Sequence, residues 1–169
     1  MNVRFKVLMV CTGNICRSPT AEGVLRGKLA GAGLDRLVQV QSAGMVDYHS
    51  GAPPDLRAQQ AAARRGYDLS RQRARKLRAD DFERFDLLLA MEAEHVERMI
   101  ELCPGPLSGR IRLLMDCSPR RPRGAEVPDP YYGAPTGFER VLDLIEEACD
   151  GLIDELRARL TPPARANAD

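Results

Sequence analysis

A nine-residue segment near the start of the chain, CTGNICRSP from Cys11 to Pro19, has the residue types needed to bind a phosphate group. Gly13 admits backbone conformations closed to other residues, and Asn14 tolerates the left-handed region. The segment can therefore curl until successive backbone N–H groups point inward and form a nest for an anion. Arg17 adds a planar fork of donors that can hold two phosphate oxygens at once. Together these residues predict a binding site for a tetrahedral dianion.

Cys11 stands where its thiol is expected to be ionised and reactive. Thiolate is the nucleophilic form of cysteine, and a helix N-terminus with a nearby cation favours it. Ser18 followed by Pro19 is typical of a helix start with Ser18 at the N-cap, and the Ser18 hydroxyl can donate to the Cys11 sulfur. A lone buried cysteine is usually inert, but that interpretation leaves the surrounding Gly, Asn, Arg, Ser and Pro unexplained. No Gly-Lys-Ser/Thr follows, so the segment is not a nucleotide P-loop.

A second segment far downstream, VPDPYYG at 127–133, can supply a proton. Cleaving a phosphate ester requires a proton for the leaving oxygen, and Asp129 can provide it as a general acid. Tyr131 and Tyr132 can form the walls of a slot for an aromatic substrate. Taken alone, the segment reads as an ordinary turn. Together with the Cys11 segment it predicts the second half of an active site.

The elements that must position these segments alternate between strand and helix. Apolar runs predict strands at 5–10, 37–42, 85–90 and 110–115, and helical patterns at 19–32, 55–65, 92–102 and 136–160. This alternation indicates a single α/β domain over 1–160 with an open parallel sheet covered on both faces, followed by a flexible tail at 161–169. In such sheets ligands bind outside the carboxyl ends of the strands, where the Cys11 segment lies.

Net charge, apolar stretches and cysteine content indicate which partners and which cellular compartment to expect. The formal net charge of the 169-residue chain is +1, which gives no global electrostatic case for nucleic acid or an anionic membrane. No stretch approaches the roughly 20 apolar residues of a membrane span. Five cysteines without a regular framework favour free thiols in a reducing compartment. We therefore expect a cytoplasmic protein with no nucleic-acid partner and no membrane insertion. The two histidines, His49 and His95, are isolated and indicate no metal site.

The chain resembles the low-molecular-weight protein tyrosine phosphatases from Lys6 to about Leu156. The resemblance is carried by the segments at 11–19 and 129–133 and is supported by SAG at 42–44, GAPPD at 51–55 followed by Arg57, and AR at 74–75. It implies a four-stranded parallel, doubly wound sheet of the phosphotyrosine protein phosphatase I type. It also implies hydrolysis of phosphotyrosine in proteins, without a metal or organic cofactor, by a monomer or weak dimer. A bacterial tyrosine kinase is one candidate substrate.

The mechanism that the resemblance implies has two steps. Cys11 attacks the phosphorus while Asp129 protonates the leaving phenol, and water then hydrolyses the phosphocysteine with Asp129 as base. Arg17 and the loop amides hold the equatorial oxygens. The loop positions that match phosphate-binding residues of the family are Thr12, Gly13, Asn14, Ile15, Cys16 and Ser18. Cys16 also matches a cysteine that forms a reversible disulfide with Cys11 on oxidation. Ser42 matches a residue that helps Asn14 hold the loop, and Tyr48 matches an aromatic residue that lines the cleft with Tyr131 and Tyr132.

The sequence departs from the family pattern at two positions near the expected site. Gln72 stands where many relatives have a histidine that supports the loop, and Glu92 follows Met91 where many have aspartate. We expect His95 to lie on a helix surface and His49 to border the cleft. The remaining cysteines, at 103, 117 and 149, are interpreted as structural, and the arginines around 71–78 and 120–123 as solvated loop charges.

Three other functions deserve comparison with phosphotyrosine hydrolysis. Phosphoarginine phosphatases of this fold have Thr in place of Ile15 and Phe in place of Tyr131, so the apolar Ile15 favours an aromatic ring. Arsenate reductases relay a disulfide through two nearby cysteines, and Cys103 and Cys117 are widely separated. A non-catalytic phosphate-binding module would typically have lost the nucleophile or the acid, and both are present here.

Overall fold

The computed structural model describes residues 2–134 and 136–161, so most of the predicted tail lies outside the described residues. The strands are β1 (Phe5–Cys11), β2 (Val38–Gly44), β3 (Leu87–Ala90) and β4 (Ile111–Leu113). The α-helices are α1 (Arg17–Gly31), α2 (Leu56–Arg64), α3 (Asp81–Arg84), α4 (Ala93–Leu102) and α5 (Thr136–Leu160). Short 3₁₀ turns at Gly105–Arg110 and Leu114–Cys117 flank β4. No helix in these ranges combines the length and apolar character needed to cross a bilayer.

The four strands form one parallel sheet in the order β2-β1-β3-β4. Alternate residues of β1 enter different cores: Val7 and Met9 pack with α1, α2 and α5, whereas Leu8 and Val10 pack with α3 and α4. Strands buried on both faces read as continuous apolar runs, which is why the strand patterns were visible in the sequence. The predicted doubly wound α/β fold with helices on both faces is confirmed.

The structure corrects several predicted boundaries. Ser18 is not the N-cap, because α1 already begins at Arg17 and Cys16 precedes it without a side-chain cap. β3 begins at Leu87 rather than at residue 85, because the preceding residues form the unpredicted helix α3 and Phe85 is its C-cap. β4 is only three residues long, and its predicted ends belong to the two 3₁₀ turns.

Two glycines fix close backbone approaches that shape the carboxyl end of the sheet. A Cβ at Gly44 would lie 2.9 Å from the Thr12 carbonyl oxygen and 3.0 Å from the Asn14 nitrogen, so β2 can reach the Cys11 segment only without a side chain there. In α5, a Cβ at Gly151 would lie 1.9 Å from the Cys117 carbonyl oxygen. The long helix therefore packs directly against the backbone of the turn that follows β4.

We expect Gly151→Ala to destabilise the protein, because the new methyl group can be accommodated only by moving the backbone around Cys117. The cost should be roughly 1–3 kcal/mol, as for other overpacked sites, despite the better helix propensity of Ala. Gly31→Ala is the matched control, since nothing lies within 4 Å of its Cβ position, and it should be neutral or stabilising by up to about 1 kcal/mol. Urea denaturation measures both, and equal effects of the two substitutions would contradict the close contact.

Candidate active site

Cys11 lies at the carboxyl end of β1, at the floor of a pocket of about 250 Å³. Its side chain is 3% exposed, and its Sγ is 3.0 Å from the Ser18 hydroxyl. The pocket is lined by Cys11, Thr12, Gly13, Ile15, Cys16, Arg17, Val46, Tyr48, His49, Asp129, Tyr131 and Tyr132. The structure thus brings the predicted nucleophile, arginine, acid and aromatic residues together around one opening. A larger hollow of about 700 Å³ at the opposite ends of the strands contains none of these residues.

The phosphate loop, residues 11–18, is held in its curled shape by Asn14. This residue has φ 58°, in the left-handed region. Its side-chain Nδ2 donates to Ser18 Oγ at 2.8 Å and to Ser42 Oγ at 3.0 Å, while its Oδ1 accepts from the Arg75 backbone N–H at 3.0 Å. Asparagine suits this position because it tolerates the backbone conformation and can form all three bonds.

The hydrogen bonds continue from Ser42 to a buried carboxylate that the sequence analysis missed. Ser42 Oγ donates to Glu22 Oε1 at 2.9 Å, and Arg26 lies 2.8 Å from Glu22 Oε2. Burial raises the pKa of Glu22, while Arg26 and the Ser42 hydroxyl oppose the shift. Gln72, at the position where relatives have histidine, donates instead to the Pro19 carbonyl at 2.9 Å. A chain of hydrogen bonds therefore runs from the Cys11 sulfur to the Glu22 carboxylate through the side chains of Ser18, Asn14 and Ser42.

Arg17 connects the phosphate loop with the β3–α4 connection and with the segment that contains Asp129. Its side chain is 2% exposed, and its Nη1 donates to the Glu92 carboxylate and, at 2.9 Å, to the Val127 carbonyl. Its Nη2 is 3.4 Å from Thr12 Oγ1 and 3.6 Å from Asp129 Oδ2. Glu92, noted in the sequence only as a departure from the family pattern, is thus the charge partner of the buried guanidinium.

The acid loop, residues 126–133, is anchored at its start to the β3–α4 connection. The Val127 backbone N–H donates to the Met91 carbonyl at 2.9 Å. Glu126 accepts from the Ala93 backbone N–H at 2.7 Å and so caps α4, which has no cap from its own N-cap residue. Asp129 is half-exposed at the pocket mouth, and its Oδ1 accepts from the Tyr131 backbone N–H at 3.0 Å.

Arg57 holds the far end of the acid loop. Asp55 fixes the guanidinium through contacts of 3.0 and 2.8 Å, and Arg57 Nη2 donates to the Tyr131 carbonyl at 3.1 Å. The same guanidinium lies 4.7 Å above the Phe138 ring and 5.6 Å from the Tyr131 ring. The sequence marked Arg57 only as part of a matching segment, because a contact across 74 residues leaves no local pattern.

The pocket mouth is aromatic. The Tyr131 and Tyr132 rings meet edge to face with centroids 4.8 Å apart, and His49 lies across from Tyr131 at 6.4 Å. Tyr48 and Tyr132 are 84% and 94% exposed. The ring surfaces are therefore free to contact a substrate.

The prediction that His95 lies on a helix surface is wrong. His95 is buried, with its Nε2 2.9 Å from Thr12 Oγ1, and its Nδ1 has no hydrogen-bond partner among residues 2–134 and 136–161. It shares the inward face of α4 with Met99, four residues later, and this spacing was available in the sequence. Among the other cysteines, Cys117 and Cys149 are buried, and burial raises the pKa of Cys117 to about 12. No group of three metal-ligating side chains occurs in the described ranges.

Comparison with known proteins agrees with this geometry. A family model described as low molecular weight phosphotyrosine protein phosphatase matches residues 6–161. A putative low molecular weight protein-tyrosine-phosphatase of Synechocystis is 40% identical, with 92% of this chain and 98% of the relative covered. A Streptomyces coelicolor low molecular weight protein-tyrosine-phosphatase is also 40% identical, with 92% of this chain and 96% of the relative covered. The solved protein tyrosine phosphatase of Entamoeba histolytica superposes with a TM-score of 0.87 at 36% identity, covering 92% of this chain and 98% of that one. The crystal structure of YfkJ from Bacillus subtilis superposes with a TM-score of 0.87 at 34% sequence identity, covering 95% of this chain and 99% of that one.

The raised pKa of Glu22 predicts how Glu22→Gln changes stability with pH. A carboxyl group whose folded pKa lies above its unfolded value contributes stability that is present below the unfolded pKa and lost as pH rises through the folded pKa. The glutamine variant, which can still accept from Ser42, should therefore gain stability relative to the wild type as pH rises from acid to neutral. Urea denaturation across this pH range measures the difference.

Glu139→Gln is the matched control, because hydrogen bonds from Arg64 and Arg65 lower the pKa of Glu139. Its trend should have the opposite sign, with the variant losing stability relative to the wild type as pH rises. Parallel trends for the two variants would show that the Glu22 carboxylate is not destabilised by burial.

Proposed function

The chain belongs to the low molecular weight phosphotyrosine protein phosphatase family, and we propose that it hydrolyses phosphotyrosine in proteins through a phosphocysteine formed on Cys11. The observation that carries the proposal is the convergence of Cys11 Sγ, the Arg17 guanidinium and the Asp129 carboxyl group on one pocket with tyrosine walls. A recessed nucleophile suits a phosphate carried on a long, flat side chain.

In the first step the Cys11 thiolate attacks phosphorus, a sulfur–phosphorus bond forms and the bond from phosphorus to the phenolic oxygen breaks. Asp129 gives its proton to that oxygen, so tyrosine leaves as a neutral phenol. The exposed position of Asp129 at the pocket mouth suits this role, because the ester oxygen points away from the floor.

In the second step water attacks the phosphocysteine and Asp129, now a carboxylate, takes the proton from the water. The sulfur–phosphorus bond breaks, inorganic phosphate forms and the thiolate is regenerated. Ser18 stabilises the departing sulfur: a thiolate can only accept a hydrogen bond, so in the 3.0 Å contact the Ser18 hydroxyl donates to Cys11 Sγ, while Asn14 Nδ2 donates to Ser18 Oγ.

Arg17 stabilises the phosphoryl group in both steps. Its Nη1 is occupied by Glu92 and the Val127 carbonyl, so the oxygens are held by the Nε and Nη2 edge of the guanidinium. The inward amides of residues 12–17 and the N-terminus of α1 supply the remaining donors. Because these donors are already in place, little reorganisation is needed when charge shifts in the transition state.

The pocket favours phosphotyrosine over the alternatives. Ile15 is half-buried in the pocket wall and offers no polar group to a guanidinium, which argues against phosphoarginine. An arsenate reductase would need relay cysteines near the nucleophile, and Cys103, Cys117 and Cys149 are not among the pocket-lining residues.

Several expectations extend this proposal beyond the pocket. We propose phosphoproteins as substrates, with a bacterial tyrosine kinase as one candidate, and a monomer or weak dimer in the cytoplasm, where the thiol nucleophile stays reduced. The Cys11–Cys16 disulfide stays a prediction. Cys16 borders the pocket, and burial, with the nearby Asp55, raises its thiol pKa to about 12. Cys16 would therefore react with an oxidised Cys11 as a thiol that must first lose its proton.

We expect Cys11→Ser to abolish phosphotyrosine hydrolysis, because the neutral hydroxyl is not activated by the loop as a thiolate is. The measurement is phosphate release from a phosphotyrosine peptide, with circular dichroism to confirm the fold. Cys103→Ser, at a half-buried cysteine outside the pocket, is the control and should retain activity. Substantial turnover by Cys11→Ser would exclude Cys11 as the nucleophile.

We expect Asp129→Asn to reduce kcat by roughly 10²–10⁴ for an aryl phosphate with a poor leaving group, the usual contribution of a positioned acid. The loss should shrink as the leaving phenol becomes more acidic and needs no proton. A series of substituted phenyl phosphates measures this dependence. Asp116→Asn is the control, since Asp116 lies in the 3₁₀ turn after β4, does not line the pocket and accepts from the Gly124 N–H. An equal loss for every leaving group would count against the general-acid role.

A further inference from the structure

The buried histidine behind the phosphate loop has a geometry that no step above uses. We propose that His95 is a positioning residue: its Nε2–H donates to Thr12 Oγ1 and so directs the Thr12 hydroxyl proton toward the phosphoryl group held by Arg17. This inference rests on the proposed phosphatase function and adds Thr12 as a side-chain phosphate donor. Neither residue would then serve only to fill space.

The Thr12 hydroxyl contacts both His95 and Arg17. Thr12 is exposed at the pocket wall, and its Oγ1 is 2.9 Å from His95 Nε2 and 3.4 Å from Arg17 Nη2. The guanidinium can only donate, so it takes one lone pair of the hydroxyl oxygen. The direction of the hydroxyl proton then depends on whether His95 donates to Thr12 or accepts from it.

Burial and charge keep His95 neutral at neutral pH, so its ring carries one N–H. Desolvation lowers the pKa of His95, and Arg17 lowers it further, against the opposing influence of Glu92, Glu94 and Glu126. The single proton must reside on Nδ1 or Nε2.

The surroundings of the ring favour the proton on Nε2. His95 Nδ1 is buried and has no partner in the described part of the chain. A proton there would create a buried N–H without an acceptor, which is rarer and costlier than an acceptor atom left without a donor. With the proton on Nε2, His95 donates to Thr12, both lone pairs of Oγ1 are occupied, and the hydroxyl proton must point elsewhere.

The remaining direction for the Thr12 proton is the open pocket. Arg17 Nη2, which contacts Thr12 Oγ1, belongs to the edge of the guanidinium that faces the phosphoryl group. A phosphate oxygen held by this edge comes within reach of the hydroxyl. With the other tautomer, Thr12 would donate to His95 and offer the phosphate only lone pairs, which would repel it.

The first experiment determines the tautomer directly and needs no turnover. The chain has two histidines, so a long-range ¹H–¹⁵N spectrum of the wild type contains two side-chain patterns, and the one missing from His95→Gln belongs to His95. We expect Nε2 to be protonated and Nδ1 bare. A proton on Nδ1 would overturn the proposal whether or not the protein is a phosphatase.

The second experiment measures binding of inorganic phosphate by calorimetric titration of four variants. Thr12→Val removes the donor and should weaken binding roughly tenfold or more, as for a lost hydrogen bond to a charged group. His95→Leu should weaken it by a smaller factor, roughly three- to tenfold, and should have no further effect when combined with Thr12→Val. His95→Gln places an amide N–H near the position of Nε2 and should restore near wild-type affinity.

The outcomes separate this proposal from a purely structural role and from failure of the proposed function. Additive losses in the double variant, or equal losses for His95→Leu and His95→Gln, would show that His95 does not act through Thr12. If His95 had only a structural role, His95→Leu would lower the free energy of unfolding. That loss would be the same in the wild-type and Thr12→Val backgrounds, and unfolding measurements on the same variants would reveal it. A wild type that binds phosphate with the expected coupling but hydrolyses no phosphotyrosine would refute the proposed function and leave the role of His95 intact.

Discussion

The burial of one positive charge organises the pocket. A guanidinium that is almost entirely removed from water is costly unless it is paired and its N–H groups find acceptors. Arg17 meets this requirement with Glu92 and the Val127 carbonyl, which come from the β3–α4 connection and the acid loop. The two contacts span 75 and 110 residues of sequence. The hydrogen bonds that satisfy Arg17 therefore also hold the acid loop over the phosphate loop.

The phosphate loop depends on a second constraint, which combines a left-handed residue with a close backbone approach. Asn14 adopts a left-handed conformation and Gly44 lets β2 approach within contact distance of the loop backbone. The curled loop is thus held by the hydrogen bonds of Asn14 on one side and by the absence of a Cβ at Gly44 on the other. Electrostatic catalysis by fixed dipoles, as in the proposed mechanism, requires a loop that is held in this way.

The sequence predicted those parts of the site whose chemistry is local. The phosphate loop and the acid loop are short segments with distinctive residue types, and the buried strands are continuous apolar runs, so the fold and the pocket-lining residues other than Val46 could be identified. Glu22 and Arg57 were not recognised as part of the site because their roles depend on contacts between distant elements. The prediction for His95 failed for a different reason. Its spacing to Met99 indicated a buried face of α4, but the hydrogen-bond partner that makes a buried histidine acceptable there, Thr12, lies 83 residues away and could not be identified from the sequence.

The separation in sequence between Arg17 and Val127 has a consequence for how activity arises during folding. Contacts across such distances form late, because a long loop must be closed before they contribute. As the chain emerges from the ribosome, Cys11 and the phosphate loop appear more than a hundred residues before Asp129. Until residues 127–129 have been synthesised, Arg17 lacks the Val127 carbonyl as an acceptor and Asp129 cannot lie beside it. Under the proposed mechanism, a nascent chain could therefore not hydrolyse phosphotyrosine before residues 127–129 have been synthesised and packed against the phosphate loop.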